Sequence, residues 1–330
     1  MALGMQALIV DAANAPFRRA VIDRPVPGKG QVLVRIKASG VNPLDIKIKS
    51  GNAAHAKHPF PAILGMDLAG VIEVVGSGVT AFKPGDTVYG FAGGVGGLQG
   101  SLAEFAAVDA DLLALTPPNL SLHDAAGLPL VFITAWEGLV DRAAVQAHQK
   151  VLIQGAGGVG NMAIQIACAF GAEVFATDSG SKQEAIERLG ATAIDHNQST
   201  VEEYVADHTH GEGFDIVYDT VGGTTLDASF GAVRRFGHVV SCLGWGVHAL
   251  APLSFRAASY SGVFTLLPML TGQGRAHHGE ILREATRLVS AGNIVPRVDP
   301  RNFNFETAAD AHRTVENRQA SGKVIIKIGN

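Results

Sequence analysis

The feature that most constrains the fold is a strand, a glycine-rich turn and a helix that follow one another between Lys150 and Asp178. The apolar run ending at Gln154 is followed by Gly-Ala-Gly-Gly-Val-Gly, and an apolar helical segment comes next. In such a turn the first glycine permits a tight bend, the second lets the backbone approach a pyrophosphate, and the third lets helix and strand pack closely. The segment therefore predicts the first βαβ unit of a dinucleotide-binding domain.

This βαβ unit supplies most of the predicted cofactor contacts. Free amides and the positive end of the helix dipole at the start of the helix favour an anion. Asp178 ends the next strand, EVFATD, where a carboxylate accepts hydrogen bonds from the adenosine ribose. The predicted contacts here are Gly155, Gly157, Gly158, Val159, Gly160 and Asp178.

The identity of the nicotinamide cofactor depends on the residues at and after Asp178. The carboxylate accepts the 2′-hydroxyl of NADH and repels the 2′-phosphate of NADPH. Ser179, Ser181 and Lys182 carry the groups of a phosphate pocket, although Lys182 is equally typical of a solvated helix start. We therefore expect NAD(P)H, with NADH slightly favoured and NADPH still open.

Length and charge exclude several classes of protein. A chain of 330 residues is long enough for two compact domains. Its 26 basic and 30 acidic residues form no polybasic run, which argues against a nucleic-acid partner. No apolar segment reaches the ~18 residues of a membrane helix, and the N-terminus lacks a secretory leader. Cys168 and Cys242 lie in apolar sequence, typical of a reducing compartment, so we expect a cytoplasmic protein.

The pattern of strand and helix signals in the sequence changes near Ser121. Before it, short β-branched runs alternate with Gly, Pro and Asp clusters, which predicts an antiparallel, barrel-like domain. After it, strands alternate with helices, which predicts a doubly wound parallel sheet. Near Tyr260 the run SGVFTLLPML is interpreted as an apolar edge strand, and the tail after it is expected to return to the first domain.

Four segments in order give the chain a resemblance to a known family: GVNPLDIKIKSG, ILGMDLAGVIEVVGSGVTAFKPGDTV, the glycine turn and FDIVYDTVGG. They resemble the medium-chain dehydrogenase/reductase superfamily, and within it the zinc-independent quinone oxidoreductases, the zeta-crystallin-like branch. The resemblance implies an α/β protein with a GroES-like antiparallel β-barrel catalytic domain at 1–122 and 266–330. It also implies a Rossmann doubly wound NAD(P)-binding domain at 123–265.

The resemblance also argues against a metal. Zinc alcohol dehydrogenases of the superfamily place a cysteine and a Gly-His-Glu where this chain has Asn42 and Gly65-Met66-Asp67. An amide and a thioether cannot replace thiolate and imidazole as zinc ligands. Four further histidines lack a third ligand at metal spacing and are interpreted as surface residues: His55, His58, His277 and His278.

The candidate catalytic residues are Asn42, Asp45 and Lys47. Asn42 and Asp45 match an Asn-x-x-Asp element that lies beside nicotinamide and substrate in the relatives. With Pro43 they are also a good helix start, and both interpretations can hold together. An ammonium at Lys47 would polarise a carbonyl or stabilise an enolate oxyanion, and the alternative is a solvent-facing lysine.

The resemblance adds cofactor contacts outside the first βαβ unit. Thr134 resembles the threonine that reaches the cofactor across the interdomain cleft, and nicotinamide contacts are expected at Ser241, Leu243 and Gly244. Lys323 resembles a basic position near the pyrophosphate, although a charge before an edge strand explains it equally well. His196 and Asn197 stand near where many relatives carry a tyrosine against the NADP phosphate, which argues against NADPH.

The expected reaction is direct hydride transfer to a quinone or to the β-carbon of an enone, with the carbonyl held by Asn42 or by backbone amides. No specific proton donor stands out, and water is an adequate one. Alcohol or aldehyde oxidoreduction is an alternative that the missing zinc ligands argue against. A crystallin-like cofactor-binding protein without turnover is another. A homodimer is expected, because the strand that corresponds to SGVFTLLPML pairs across a dimer axis in relatives.

Overall fold

The structure is a computed structural model that describes residues 3–329. It divides into a first unit, Met1–Leu130 with Leu266–Asn330, and a second unit, Val131–Thr265. The first boundary thus lies after Leu130, whereas the sequence places it at 122/123. Residues 123–130 stay with the first unit because the backbone N–H of Leu130 donates to the Asp67 carboxylate at 2.9 Å.

The strands of the described chain are β1 (Gly4–Val10), β2 (Phe17–Asp23), β3 (Gln31–Gly40), β4 (Asp67–Val75), β5 (Thr87–Phe91), β6 (Phe105–Asp109), β7 (Leu113–Leu115), β8 (Lys150–Gln154), β9 (Glu173–Asp178), β10 (Thr192–Asp195), β11 (Phe214–Asp219), β12 (Val233–Ser241), β13 (Ser259–Gly262) and β14 (Ile325–Lys327).

The α-helices are α1 (Pro43–Lys49), α2 (Leu122–Ala125), α3 (Pro129–Trp136), α4 (Gly158–Ala169), α5 (Gln183–Glu187), α6 (Val201–Thr209), α7 (Thr224–Ala232), α8 (Ala251–Ser254), α9 (Leu267–Thr271), α10 (Arg275–Ser290) and α11 (Ala308–Glu316). Among residues 3–329, no helix has both the length and the apolar character needed to cross a membrane.

The first unit is built on an antiparallel sheet in the order β14-β3-β4-β5-β7, with β6 also paired to β3 and a separate β1-β2 ladder. The sheet confirms the antiparallel part of the predicted fold. Strand β3 ends between two partners, because Gly40 lies opposite Asp67 of β4 and opposite Ile325 of β14. The C-terminal tail therefore lies beside the loop that follows β3.

The second unit is a parallel sheet in the order β10-β9-β8-β11-β12-β13. Strands β8 and β11 are central and nearly continuous in apolar residues, as expected where helices cover both faces. Counted from β8, this order is that of a doubly wound dinucleotide-binding sheet, and it reverses between β8 and β11. The Rossmann part of the predicted fold is confirmed.

Two local predictions were wrong. The run near Tyr260 is a strand only over Ser259–Gly262, because Pro268 at the start of Leu267–Thr271 favours a helix there. His278 is buried rather than on the surface, and its ring stacks at 5.9 Å on Phe91. Helix α10 is amphipathic, and its helical period places His278 on the buried face with Ile281 and Leu282.

Candidate active site

The three motif glycines of the turn between β8 and α4 have different surroundings. Gly155 has a φ of +85°, which a side chain would strain. A Cβ on Gly160 would overlap the carbonyl oxygen of Gly155, so strand and helix touch there. A Cβ on Gly157 would meet nothing within 4 Å, so the backbone beside it faces open space. The turn thus has the shape that a pyrophosphate requires.

Asp178, at the end of β9, is hydrogen bonded to this turn. Its Oδ2 accepts from the backbone N–H of Ala156 at 2.8 Å and from Nζ of Lys182 at 3.0 Å. Its Oδ1 accepts from the backbone N–H of Ser179 at 2.8 Å. Burial by itself raises the pKa of Asp178, but the Ala156, Lys182 and Ser179 hydrogen bonds outweigh it and hold the pKa below its usual value. The carboxylate is therefore ionised at neutral pH.

A second carboxylate, which was not expected from the sequence, lies beside the loop that follows β9. Asp195 ends β10 opposite Asp178, and a Cβ on Gly180 would lie 2.6 Å from its Oδ2. Ser179 and Ser181 hydrogen bond to each other through their hydroxyls at 2.9 Å. The groups proposed as a phosphate pocket thus lie between two acidic strand ends, with Lys182 already paired to one of them.

The ends of β11 and β12 are joined through a buried aspartate, Asp219, which is 0 % exposed. Its carboxylate accepts from the backbone N–H of Gly222 at 2.9 Å and from the hydroxyl of Ser241 at 2.6 Å. The Ser241 hydroxyl in turn accepts from the backbone N–H of Leu243 at 3.0 Å. The turns after two neighbouring parallel strands are therefore fixed relative to each other, at the strand edge where such sheets bind ligands.

Two further predicted cofactor residues lie in fixed surroundings in the second unit. The Thr265 hydroxyl donates to the Thr134 hydroxyl at 3.1 Å, and the Tyr218 hydroxyl donates to the Thr134 carbonyl at 2.6 Å. At Gly244 a Cβ would overlap the hydroxyl of Tyr260, so a larger residue there would require the Tyr260 side chain to move. Thr134 and Gly244 are therefore constrained by packing whether or not they contact a cofactor.

In the first unit, Asp45 holds the start of α1. Its carboxylate accepts from the backbone N–H of Asn42 at 2.8 Å and from that of Gly65 at 3.0 Å. Complete burial raises its pKa to about 7; the Asn42 and Gly65 hydrogen bonds and the Lys323 charge oppose the rise, and the Asp67 charge adds to it. The helix-start interpretation of Asn42, Pro43 and Asp45 thus describes the local structure.

The Asn42 side chain is bonded at both ends of its amide. Its Nδ2 donates to Asp67 Oδ2 at 2.9 Å, and its Oδ1 accepts from Nζ of Lys323. Lys323 also donates to Asp67 Oδ2 at 3.0 Å. Asn42 and Asp67 are 1 % and 0 % exposed, so this triad is a buried cluster of one cation, one anion and one amide.

The structure thus brings together some of the predicted residues and separates others. Lys323 donates a hydrogen bond to Asn42, whereas the family resemblance places it among the cofactor contacts. Lys47 is exposed on α1. Asp67 and Asp219 were missed. Asp219 ends the apolar strand β11, which is the kind of signal that identified Asp178, whereas Asp67 begins β4 and carries no such signal. Within residues 3–329, no group of three or more His, Cys, Asp or Glu side chains comes together as a metal site would require.

A dinucleotide-type parallel sheet joined to an antiparallel sheet defines a class of two-domain oxidoreductases, and family models agree with this structure. "Alcohol dehydrogenase GroES-like domain" matches residues 28–118, and "Zinc-binding dehydrogenase" matches 189–326. "Alanine dehydrogenase/PNT, C-terminal domain" matches 139–221. The chain belongs to the medium-chain dehydrogenase/reductase superfamily, and it is an oxidoreductase of that superfamily.

Two curated relatives cover most of the chain. The 2-methylene-furan-3-one reductase of Solanum lycopersicum is 37 % identical over 305 residues, which are 90 % of this chain and 71 % of that protein. The chloroplastic NADPH-dependent alkenal/one oxidoreductase of Arabidopsis thaliana is 36 % identical over 305 residues, which are 90 % of this chain and 72 % of that protein. These relatives support a nicotinamide cofactor and a small-molecule substrate.

Solved structures extend the similarity to the whole chain. An alcohol dehydrogenase superfamily protein from Novosphingobium aromaticivorans has a TM-score of 0.97 and 58 % identity, covering 98 % of this chain and 100 % of that one. The quinone oxidoreductase from Coxiella burnetii has a TM-score of 0.82 and 26 % identity, covering 99 % of this chain and 100 % of that one. Both sheets of the present structure therefore have counterparts in one family.

Proposed function

We propose that this chain uses NAD(P)H to reduce an activated alkene or a quinone by hydride transfer, without a metal. The observation that carries the proposal is the glycine turn after β8, with open space beside Gly157 and an ionised Asp178 at the next strand end. The names of the plant relatives and of the Coxiella burnetii protein support the substrate class. We further propose that the first unit binds substrate and the second binds cofactor.

We propose that groups of the second unit bind the dinucleotide. The proposed pyrophosphate contacts are the backbone amides of Gly155, Gly157, Gly158, Val159 and Gly160. Asp178 would accept the hydroxyls of the adenosine ribose, and Thr134, Ser241, Leu243 and Gly244 would line the nicotinamide. A bound cofactor would supply the hydride, and these residues would hold its nicotinamide in place.

We propose NADH rather than NADPH as the preferred cofactor. Asp178 is ionised and Asp195 lies beside Gly180, so a 2′-phosphate in this loop would face two carboxylates. Lys182, with Ser179, is the alternative phosphate ligand, but its ammonium is already paired with Asp178 at 3.0 Å. Binding a phosphate there would require that pair to break.

In the first unit we propose that Asn42 donates a hydrogen bond to the substrate carbonyl, which stabilises the enolate or quinol oxygen as negative charge develops. Asp45 would fix the backbone of Asn42, since it accepts from that N–H at 2.8 Å. Lys47 is exposed and would contribute at most through its charge. Independence of zinc follows in this proposal from the ligand positions, because Asn42 and the buried Met66 supply an amide and a thioether.

Assembly and compartment are also proposals. Strand β13 is the edge of the parallel sheet, and Tyr260 on it is 40 % exposed, which suits pairing with a second copy. A homodimer in the cytoplasm is the arrangement we propose, with no nucleic-acid or membrane partner.

Steady-state oxidation of NADH and NADPH, followed at 340 nm on metal-stripped protein, tests the function. Quinones and enones form the test panel, and simple aldehydes serve as controls. Turnover of a quinone or an enone without metal supports the proposal. Turnover of aldehydes alone, and only with added zinc, would indicate alcohol dehydrogenase activity instead. Cofactor binding without any turnover would favour a binding protein.

A further inference from the structure

The amide of Asn42 lies between opposite charges in the first unit. Its oxygen accepts from the Lys323 ammonium and its nitrogen donates to Asp67 at 2.9 Å. The strand register explains this meeting, because β3 pairs with β14 on one side and with β4 on the other. In the antiparallel β3–β14 pairing, Ile325 lies opposite Gly40, and continuing that register places Lys323 opposite Asn42.

Electrostatics allows only one orientation of this amide. If it rotated by 180°, its oxygen would face the Asp67 carboxylate and its NH₂ group would face the Lys323 ammonium. Both contacts would then be repulsive in a buried setting, where an unsatisfied polar group costs more than it does in water. The two hydrogen bonds and the ion pair between Lys323 and Asp67 therefore act together to select the orientation.

Both charged residues are also held by hydrogen bonds outside this cluster. Lys323 is bonded on both backbone sides, with its N–H donating to Arg297 and its carbonyl accepting from Asp299. The second carboxylate oxygen of Asp67 accepts from the backbone N–H of Leu130 at 2.9 Å. The Asp67 carboxylate therefore cannot move away from Asn42 without losing its bond to Leu130, and the Lys323 backbone is fixed within reach of both partners.

We propose that Asp67 and Lys323 are positioning residues that hold the Asn42 amide in one orientation, so that its remaining N–H is presented to substrate as a fixed donor. In the part of the chain that the structure describes, Asp67 is the only hydrogen-bond acceptor of Asn42 Nδ2, which leaves its second hydrogen available. Lys323 thus acts on the first unit's donor and is not itself a cofactor ligand. The inference rests on the proposed role of Asn42.

Side-chain amide NMR of protein labelled with ¹⁵N-asparagine tests the orientation without any turnover. Asn42→Ala assigns the Asn42 pair of signals by their loss. We expect Lys323→Met to shift or broaden that pair, and Lys323→Arg to keep it near the wild-type position. Lys327→Met, an exposed lysine on β14, is the matched control and should leave the signals unchanged. Unchanged Asn42 signals in Lys323→Met would overturn the proposal.

A buried Asp67 left without its cation can prevent Lys323→Met from folding. The double variant Asp67→Asn with Lys323→Met removes both charges and avoids that penalty. It should fold and should also lose the wild-type Asn42 signals. Wild-type signals in the folded double variant would contradict the role of the two charges.

Kinetics separates positioning from cofactor contact. With an enone substrate, Lys323→Met should lower kcat about tenfold or more while KM for the cofactor stays unchanged, and Lys323→Arg should recover part of kcat. A raised cofactor KM with unchanged kcat would make Lys323 a pyrophosphate ligand and overturn the proposal. If the wild-type protein reduces neither enones nor quinones, the proposed function fails, and the NMR result still decides whether Lys323 and Asp67 orient Asn42.

Discussion

The Asp178 carboxylate has a structural role and a proposed functional role. It accepts a hydrogen bond from the backbone N–H of Ala156 in the glycine turn, and its charge is proposed to discriminate between NADH and NADPH. We expect Asp178→Asn to raise the ratio of kcat/KM for NADPH to that for NADH by roughly tenfold or more, about 1.4 kcal/mol. The amide removes the charge and frees Lys182 for a 2′-phosphate. Steady-state kinetics with both cofactors measures this ratio.

Glu173→Gln is the matched control for that experiment. Glu173 is an exposed carboxylate at the opposite end of β9, so its loss changes the net charge equally. The control should leave the cofactor ratio unchanged. Equal ratios for wild type and Asp178→Asn would mean that cofactor choice is made elsewhere.

Asp45 makes stability depend on pH. Its pKa is raised from 3.8 in the unfolded chain to about 7 in the folded protein, mainly by burial. Between about pH 4 and pH 7 the unfolded chain releases this proton while the folded protein retains it, so the free energy of unfolding falls as the pH rises. Asp45→Asn removes this titration. We expect urea unfolding to give a difference, variant minus wild type, that grows in the variant's favour across that window.

The control for the pH series is Asp207→Asn, an exposed aspartate on α6. It makes the same change of side chain at an exposed position. A difference between Asp45→Asn and wild type that does not change with pH would contradict the raised pKa of Asp45.

At the residue scale, the sequence could predict side chains that belong to one local motif. Asp178 was found because it ends the strand that follows the glycine turn, and Asn42 because it matches the Asn-x-x-Asp element of the family that the chain resembles. Asp67 and Lys323 could not be grouped with Asn42, because that contact depends on the pairing of β3 with strands distant in the chain. Long-range strand pairing is not encoded in any local pattern of residues.

At the scale of elements, two glycines of the turn between β8 and α4 are expected to affect different properties. Gly160 should affect the stability of the protein, and Gly157 should affect cofactor binding. Gly160→Ala should destabilise the protein by roughly 1–3 kcal/mol, because its Cβ would overlap the Gly155 carbonyl and force the helix away from the strand. Gly157→Ala should keep wild-type stability, because its Cβ meets no atom within 4 Å. It should nevertheless weaken cofactor binding, since that space is where we place the pyrophosphate.

Urea unfolding and a cofactor-binding titration, made on both variants, check this contrast. Each glycine variant is the control for the other. Normal cofactor affinity in Gly157→Ala would contradict the proposed pyrophosphate site, and normal stability in Gly160→Ala would contradict the close packing of β8 and α4.

Helices and strands were predicted best where a periodic pattern of apolar residues continued over many positions or where the residues of a turn defined its conformation. Strands β8, β9 and β11 and the helix after the glycine turn were predicted from local sequence alone. The run near Tyr260 was misread because its apolar residues fit a strand and a helix equally well, and Pro268 decided for a helix at its end. His278 was misassigned because histidine in polar sequence gave no sign that it lies on the buried face of α10.

At the scale of the whole molecule, the antiparallel and the parallel sheet were predicted from the change in secondary-structure pattern along the chain. The first domain boundary did not follow from that change. Residues 123–130 have a helical sequence pattern and were therefore assigned to the NAD(P)-binding domain. They belong to the first unit through contacts such as that of Leu130 with Asp67, which only the folded chain shows.

The proposed homodimer is a prediction at this scale. Sedimentation velocity at micromolar concentration should give about twice the mass of the 34.3 kDa chain. The edge strand β13 and exposed apolar side chains of the second unit, such as Phe255 and Leu250, are the surfaces that a second copy would cover. A monomer at micromolar concentration would contradict this assembly.

If the enzyme delivers hydride to the β-carbon of an activated alkene, a deuterium label on the cofactor must appear at that carbon. The metal-stripped protein is incubated with an enone and with NADH carrying deuterium at both C4 positions, and the product is analysed by NMR. We predict one deuterium at the β-carbon, with the α-proton taken from water and the carbonyl intact. Deuterium on the carbonyl carbon, as in an alcohol product, or no deuterium in any product would contradict hydride transfer to an activated alkene.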